Sequence, residues 1–291
     1  MNDVLSFKNF TKSLNDLTFN DYFYRLMLIS KARFKWNNLP NGIDEKWIEK
    51  FLFSHGCCMF YKDEEFGLMV ARCTPKGMNY YDEPTELIPY GKDIKHKPYI
   101  NGENAILIRN NDECLDTSST IQLFAYRLAD VTRTIDVNIC NMKIPYFVRC
   151  SKKTQLSLKQ VINARNDNEP VIFGDKNLDT EGMEVMKTDA PIVFPQLQTY
   201  KMSLWNEVMT YLGVNNANTD KRERLVDDEV QANNAQISLS AEVALKSRQL
   251  ACEQINKLFG TNISVELRSD IDSIVDEMQA HFNIKEGVNN E

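Results

Sequence analysis

The stretch "SSTIQLFAYRLADVTRTIDVNICN", Ser118 to Asn141, decides how the rest of the chain is read. Ile121, Phe124, Ala125, Leu128, Val131, Ile135 and Ile139 return every three or four positions and leave one side polar. That period predicts an amphipathic helix of about six or seven turns. A second helix is predicted from about Gln196 to Leu212, carrying Met202, Trp205, Met209 and Leu212, with Gly213 placed to end it. Between the two lies a compact α/β insert made of the strand-like "IPYFVRC", the helix-like "LSLKQVINAR", the strand "PVIF", and "MEVMKTD".

Upstream, Phe23, Leu26, Met27, Ile29, Ala32, Phe34 and Trp36 follow rough helical spacing from Asn20 to Asn38, and "NNLPNG" stops the run with turn residues. A short helix is predicted at Asp44 to Ser54. The runs "CCMFYKD", "FGLMVARC", "TELIPY" and "NAILIRNN" then predict a small antiparallel sheet or barrel, since short β-prone segments alternate with Gly, Pro, Asn and Asp.

Downstream of Leu212 comes the charged run "KRERLVDDEV", in which Lys221, Arg222 and Arg224 stand among Glu223, Asp227, Asp228 and Glu229, with Asp220 just before it. With so few apolar residues it reads as a loop. Asn233 to Phe259 is predicted helical, "GTNISVELRSDI" supplies a strand, and an acidic amphipathic helix is predicted over Ile271 to Phe282. No internal repeat is visible, and the fold class is α+β.

A chain of 291 residues can bury a substantial core, and a net charge of −7 argues against a protein that coats nucleic acid. No apolar run approaches the length of a membrane span, and "MNDVLSFKNFTK" lacks the features of a secretory signal, so a cytosolic site of synthesis is expected. Cys57, Cys58, Cys73, Cys114, Cys140, Cys150 and Cys252 are an odd number without C-x-x-C spacing, which predicts reduced, mostly buried thiols. His55, His96 and His281 are too scattered to complete a zinc site, and no cofactor is expected.

Signatures of common catalysts are missing: there is no G-x-x-x-x-G-K-[ST], no H-E-x-x-H and no G-x-S-x-G. The cluster Asp227, Asp228 and Glu229 could serve a metal-dependent nuclease. Three neighbours on a regular element face different ways, however, so a solvated acidic face is the better reading.

Charge is distributed unevenly. No acidic residue lies between Asp136 and Asp167, whereas Lys143, Arg149, Lys152, Lys153, Lys159 and Arg165 contribute six positive charges. This patch is either a surface for a polyanion or acidic partner, or a solvated face neutralised by acids elsewhere. The opposite bias follows Arg268, where Asp270, Asp272, Asp276, Glu277, Glu286 and Glu291 face only Lys285.

Taken in order, "LSLKQVINARNDNEPVIF", "EVMKTDAPIVF", "LWNEVMTYLGVNNAN", "KRERLVDDEV" and "LKSRQLACEQINKLFGTNISVELRSDI" closely resemble the portal protein of small short-tailed phages, the upper collar or head-tail connector of phi-29-like viruses. The resemblance runs from about Gln155 to Ile271, recurs in "FKWNNLP" and "FYKD", and is weak over Glu65 to Asp112. It implies a portal fold, with long stem helices, an α/β clip insert and a β-rich, barrel-like wing.

Residues 1–117 would be amino-terminal helices and wing, 118–143 the first stem helix, 144–194 the clip and 195–213 the second stem helix. Residues 214–235 would be a channel loop, and 236–291 the wing helix, strand and terminal acidic helix. The resemblance further implies a dodecameric ring at one capsid vertex, a channel for double-stranded DNA, and no enzymatic activity. The implied partners are a packaging ATPase, a lower collar or tail protein, the major capsid and scaffolding proteins and, in some members, a packaging RNA.

The implied location is the virion, with assembly in the host cytoplasm and no membrane association. Lys187 stands at one position where the family can ring the channel with lysine, and Gln196 at the other. Lys187, Lys221, Arg222 and Arg224 are the expected DNA contacts, and the patch from Lys143 to Arg165 would form the clip surface for motor, RNA or tail. The amino terminus carries only Lys8 and Lys12, where the resemblance would call for a markedly basic arm. Another ring-shaped head-tail adaptor is the competing assembly.

Overall fold

In "CCMFYKD" every residue from Cys57 to Tyr61 is buried. Successive side chains of a strand point to opposite faces, so this run must be covered on both sides. The computed structural model describes residues 7–92, 94–143, 146–149, 184–187, 192–215 and 227–268. It places this strand, β2 (Cys57–Asp63), in a five-stranded antiparallel sheet with β3 (Gly67–Met78), β4 (Pro84–Tyr90), β5 (Tyr99–Ile100) and β6 (Ala105–Arg109), in the order β5-β4-β3-β2-β6.

Two apolar cores lie on its two faces. Cys57, Met59 and Tyr61 join Ala71, Cys73, Leu87, Tyr99 and Leu107, whereas Cys58 and Phe60 join Ile106 and Ile108 in the larger core. The sheet curls into a half-barrel.

The larger core draws on distant parts of the chain. Before it come α1 (Phe7–Ala32) and the short strand β1 (Phe34–Asn37), which places Phe34 and Trp36 inside and leaves Lys35 outside. α2 (Glu45–His55) begins at Asp44, whose side chain accepts from the Lys46 amide, and it buries Ile48 and Leu52. Gly56 ends it in the left-handed region and returns its amide to the Leu52 carbonyl. A Cβ there would fall 1.8 Å from the Cys114 carbonyl oxygen, so this turn requires glycine.

The other side of that core comes from α5 (Asp227–Phe259), through Ala244, Ala251, Cys252 and Ile255, and from β9 (Ser264–Leu267), which pairs antiparallel with β1. Full burial of a large apolar side chain contributes about 1.5–3 kcal/mol. Phe34 of β1 and Ile263, just before β9, therefore hold that strand pair against Phe60 and Ile106 of the sheet more firmly than any surface pair could.

Two compact units emerge. One comprises Met1–Asp130 with Lys201–Glu291, and the other Val131–Tyr200. Both boundaries fall inside helices, α3 (Ser118–Lys143) and α4 (Phe194–Leu212). The second unit contains the later part of α3, the antiparallel pair β7 (Tyr146–Arg149) and β8 (Glu184–Lys187), and the start of α4.

Several elements differ from expectation. The helix predicted to Asn38 ends at Ala32, and "FKWN" is strand β1. Its partner is more than two hundred residues away, so no local pattern announced it. β5 was not anticipated, and β3 runs on to Met78. α5 begins at Asp227 rather than Asn233, so the last four residues of the charged run are helical and only residues 216–226 of the expected loop escape description. The helix "LSLKQVINAR", the strand "PVIF" and the acidic helix from Ile271 lie outside the described residues.

Candidate channel and docking site

Within the first unit, α3 starts where Asp116 accepts from the Ser119 amide and from the hydroxyls of Ser118 and Ser119. A carboxylate there satisfies an orphan amide and opposes the positive end of the helix dipole. Partial burial acts to raise the Asp116 pKa, but those contacts together outweigh it and hold the carboxyl below its ordinary value. Ile121, Phe124, Ala125 and Leu128 form the buried stripe.

The opposite side is mixed: Leu123, 50% exposed, and Tyr126, 64% exposed, stand there among the exposed Gln122, Arg127 and Asp130. α4 buries Leu204, Val208, Met209 and Leu212, and its Tyr211 ring lies 6.3 Å from that of Phe124. Gly213 ends α4 as expected, with φ +68, and the Val214 amide donates to the Met209 carbonyl. The Arg33 guanidinium also caps this end, donating through Nη1 to the Leu212 carbonyl at 2.7 Å.

Of the expected site residues, Lys143 is the last residue of α3. Arg149 is registered opposite Glu184 in the β7–β8 pair, and Lys187 opposite Tyr146. These three fall in the second unit. Lys152, Lys153, Lys159 and Arg165, like Lys221, Arg222 and Arg224, lie outside the described residues.

Asp227, Asp228 and Glu229 occupy the first three positions of α5. Consecutive helical positions diverge, which disfavours a shared ion, and acids in a first turn complement the helix dipole. Among the described residues no group of three His, Cys, Asp or Glu side chains could hold a metal. No described helix is long and apolar enough to cross a membrane.

Sequence reasoning missed the polar centre of the first unit. Arg248, 1% exposed, meets Glu49, 3% exposed, in a two-pronged pair: Nε donates to Oε1 at 2.9 Å and Nη2 to Oε2 at 2.8 Å. Trp36 Nε1 donates to the same Oε1, and Arg248 also donates to the Asn110 side chain and to the Asn110 and Ala244 carbonyls.

The Phe34 ring lies between two guanidiniums, 4.0 Å from Arg248 and 5.0 Å from Arg33. Burial, then the Arg248 charge, lowers the Arg33 pKa to about 10, with Glu49 opposing. The available signal was a charged residue on an apolar stripe: Arg248 follows Ala241 and Ala244 and precedes Ala251 and Cys252. This centre makes no chemistry; it fixes α2, α5 and β1 relative to one another.

Five described cysteines, Cys57, Cys58, Cys73, Cys114 and Cys252, are free thiols. Only Cys114 among them is not buried. Burial raises the pKa of Cys252 to about 12, with the Glu253 charge adding to it, and lifts Cys58 well above its usual range.

Two long helices that flank an inserted segment in the chain, together with a curled sheet, make up a portal-type fold. A chain from the portal and tail of native bacteriophage P68 shares this fold, with 14% identity, full coverage of both chains and a TM-score of 0.51. More distant likenesses are a chain of the virion of a native gene transfer agent particle and a HK97-family phage portal protein from Corynebacterium diphtheriae. The first has 12% identity over 96% of this chain and 89% of the other, at a TM-score of 0.44. The second has 10% over 88% and 94%, at 0.43.

The model of the family described as Phage Connector (GP10) matches residues 6–272, and the chain belongs to that family. Its function is that of the head-tail connector, its place is the virion, and the family is structural rather than enzymatic.

Proposed function

We propose that twelve copies of the chain assemble as a ring at one capsid vertex, between head and tail components, and that double-stranded DNA enters and leaves through its channel. The supporting observation is that α3 exposes two large apolar side chains on the side away from its buried stripe. Ile121, Phe124, Ala125 and Leu128 are covered within the subunit, whereas Leu123 and Tyr126 on the far side have no cover there. A ring of identical chains needs one face for the subunit and another for its neighbour, because heterologous contacts close only when each copy offers two different surfaces.

In this reading α3 and α4 are the stem. Residues 144–194 form the clip, the sheet with α5 forms the wing, and the segment before Asp227 is a loop in the channel. Lys187, Lys221, Arg222 and Arg224 meet phosphate. Each neutralised phosphate adds salt-dependent affinity, so sparse cations set among Glu223, Asp227, Asp228 and Glu229 let a polymer slide.

The clip cations Lys143, Arg149, Lys152, Lys153, Lys159 and Arg165 form an electropositive rim once repeated around the ring. That rim receives the packaging motor, with a packaging RNA where one is used, and later the lower collar. The wing meets the major capsid and scaffolding proteins during assembly in the host cytoplasm. ATP hydrolysis belongs to a separate packaging ATPase, and this chain itself catalyses no reaction and takes no cofactor.

Negative-stain microscopy of the purified protein should show a ring with a central channel, a broad wing, a stem and a narrow clip. A solid particle, or a ring without a stem, would remove the proposal. Replacing Lys221, Arg222 and Arg224 together by alanine should leave rings intact and reduce retention of packaged DNA. Normal packaging and retention by that variant would exclude the loop as the DNA contact.

A further inference from the structure

Three thiols come together at the smaller apolar core of the sheet. Cys57 opens β2, Cys73 lies in its neighbour β3, and both belong to that core. Cys114 packs against the same core from the segment that leads from β6 to α3. The Cys57 thiol has hydrogen-bond contacts with both of the others. None takes part in a disulfide, and the channel and docking assignments use none of them.

Cys114 is held in place by its backbone. It has a φ of +54, in the left-handed region that residues with a side chain seldom occupy. Its amide donates to the Asn111 carbonyl at 3.0 Å. Asn111 also brackets the next residue, Oδ1 accepting from the Leu115 amide and Nδ2 donating to the Leu115 carbonyl, both at 2.9 Å. A Cβ on Gly56, the residue before Cys57, would overlap the Cys114 carbonyl. Glycine thus lets this turn close onto the start of β2, which brings Cys114 against Cys57.

The two thiols differ in access. Cys57 is 5% exposed, whereas Cys114 is the one described cysteine that is not buried. The contact with Cys114 pulls the Cys57 pKa down, but the Cys73 contact and burial push it up further, to about 12. The contact with Cys57, then burial, raises Cys114. Arg109, registered opposite Cys57 in β6, acts against the rise at both. Both thiols therefore keep their protons at neutral pH and react slowly, which suits a bond that forms once and persists.

We propose that Cys57 and Cys114 are a dithiol site that a peroxide converts to a disulfide within one subunit. The accessible Cys114 sulfur attacks one peroxide oxygen, the O–O bond breaks, and Cys114 becomes a sulfenic acid with release of one water. The Cys57 sulfur then attacks the Cys114 sulfur, the S–O bond breaks, and the hydroxyl leaves with the Cys57 proton as a second water. Two thiols and one hydrogen peroxide thus give one disulfide and two waters. The bond would close a loop of about 57 residues and tie the start of β2 to the turn before the Asp116 cap of α3. A virion leaves a reducing host interior for surroundings in which disulfides persist, so the site would be dithiol during assembly and disulfide in the released particle.

The test is hydrogen peroxide treatment of the full-length protein, alkylation of the remaining thiols, and peptide mass spectrometry without reduction. A Cys57–Cys114 linked peptide should be the main disulfide product, in protein that still runs as a single chain on a non-reducing gel. Links only to other cysteines, Cys73 included, links between chains, or a Cys114 that stays a thiol or passes to sulfinic acid unlinked would each overturn the proposal. In Cys57→Ser, a cyclic dione should trap severalfold more sulfenic acid at Cys114 than in the parent, and equal trapping would show that Cys57 does not resolve it.

A further readout avoids that buried substitution. Oxidation should raise the melting temperature of the parent by several degrees and leave that of Cys114→Ser unchanged. No shift in the parent, or the same shift in Cys114→Ser, would count against a bond at this site.

Discussion

Arg248 shows how much one side chain organises here. Its guanidinium makes five hydrogen bonds, to Glu49, Asn110 and Ala244, in a site closed to water. A buried pair of this kind adds little over a well-packed apolar pair, but removing one partner strands the other charge. Arg248→Met should therefore destabilise the fold by about 3–5 kcal/mol, seen as a lowered midpoint of denaturant unfolding.

Glu49→Gln combined with Arg248→Met should recover part of that loss, because glutamine oxygen still accepts from Trp36 Nε1. A double variant no more stable than the Arg248→Met single variant would show that the pair is not the source. The buried thiols give a pH signature. Cys252 ordinarily ionises near 9, and the folded chain holds its proton to about 12 because burial disfavours the thiolate.

The folded state then binds more protons than the unfolded state over that interval, so stability is full below pH 9 and falls as pH rises towards 12. Melting temperatures between pH 8 and 11 should fall less steeply in Cys252→Ala than in the parent. Parallel slopes would assign the alkaline loss to other groups.

At the scale of elements, helix ends are set by a few residues with backbone roles. Gly213 and Gly260 both have positive φ, +68 and +67, and both end a helix. Around Gly260 nothing lies within 4 Å of a would-be Cβ, whereas at Gly213 it would fall 2.6 Å from the Ala241 backbone nitrogen and Cβ. Alanine at either position meets the left-handed penalty of about 1–2 kcal/mol. At Gly213 the crowding against α5 adds about 1–3 kcal/mol. Gly213→Ala should thus melt well below Gly260→Ala, and equal melting points would mean that α4 and α5 separate freely.

Gly213 was legible in the sequence as a terminator, but its approach to α5 was not, since Ala241 is 28 residues away. The same distinction explains the other outcomes. β2, α2, α3 and α4 carry their periodicity within themselves and were readable to within a few residues. β1 is four residues whose partner lies at the other end of the chain, and Phe34 and Trp36 fit a helical extension as well as an alternating strand. The start of α5 has Val230 as its sole large apolar residue before Ile237, so charge density masked a helix. Family likeness, rather than any local motif, made the candidate site legible. Its basic residues have no pattern that distinguishes a DNA contact from a solvated lysine.

For the whole molecule, the decisive question is whether the uncovered side of α3 is what joins the ring. Leu123 and Tyr126 retain half or more of their surface in a single subunit, and complete burial of such side chains contributes about 1.5–3 kcal/mol each. Roughly half of that remains to be gained between subunits, and the gain recurs at every interface. Replacing both by glutamate removes the apolar gain and places two carboxylates where water would be excluded, at a cost of several kcal/mol per interface.

Neither side chain belongs to the buried stripe of Ile121, Phe124, Ala125 and Leu128, so the subunit itself should fold normally. The expected result is a helical circular-dichroism spectrum like the parent's and sedimentation as monomer or small oligomer. Lys62→Glu, an exposed change on β2, should sediment as the parent does. If the double glutamate variant formed intact rings, the neighbour would have to bind elsewhere on the subunit, and the stem assignment of α3 would lose its support.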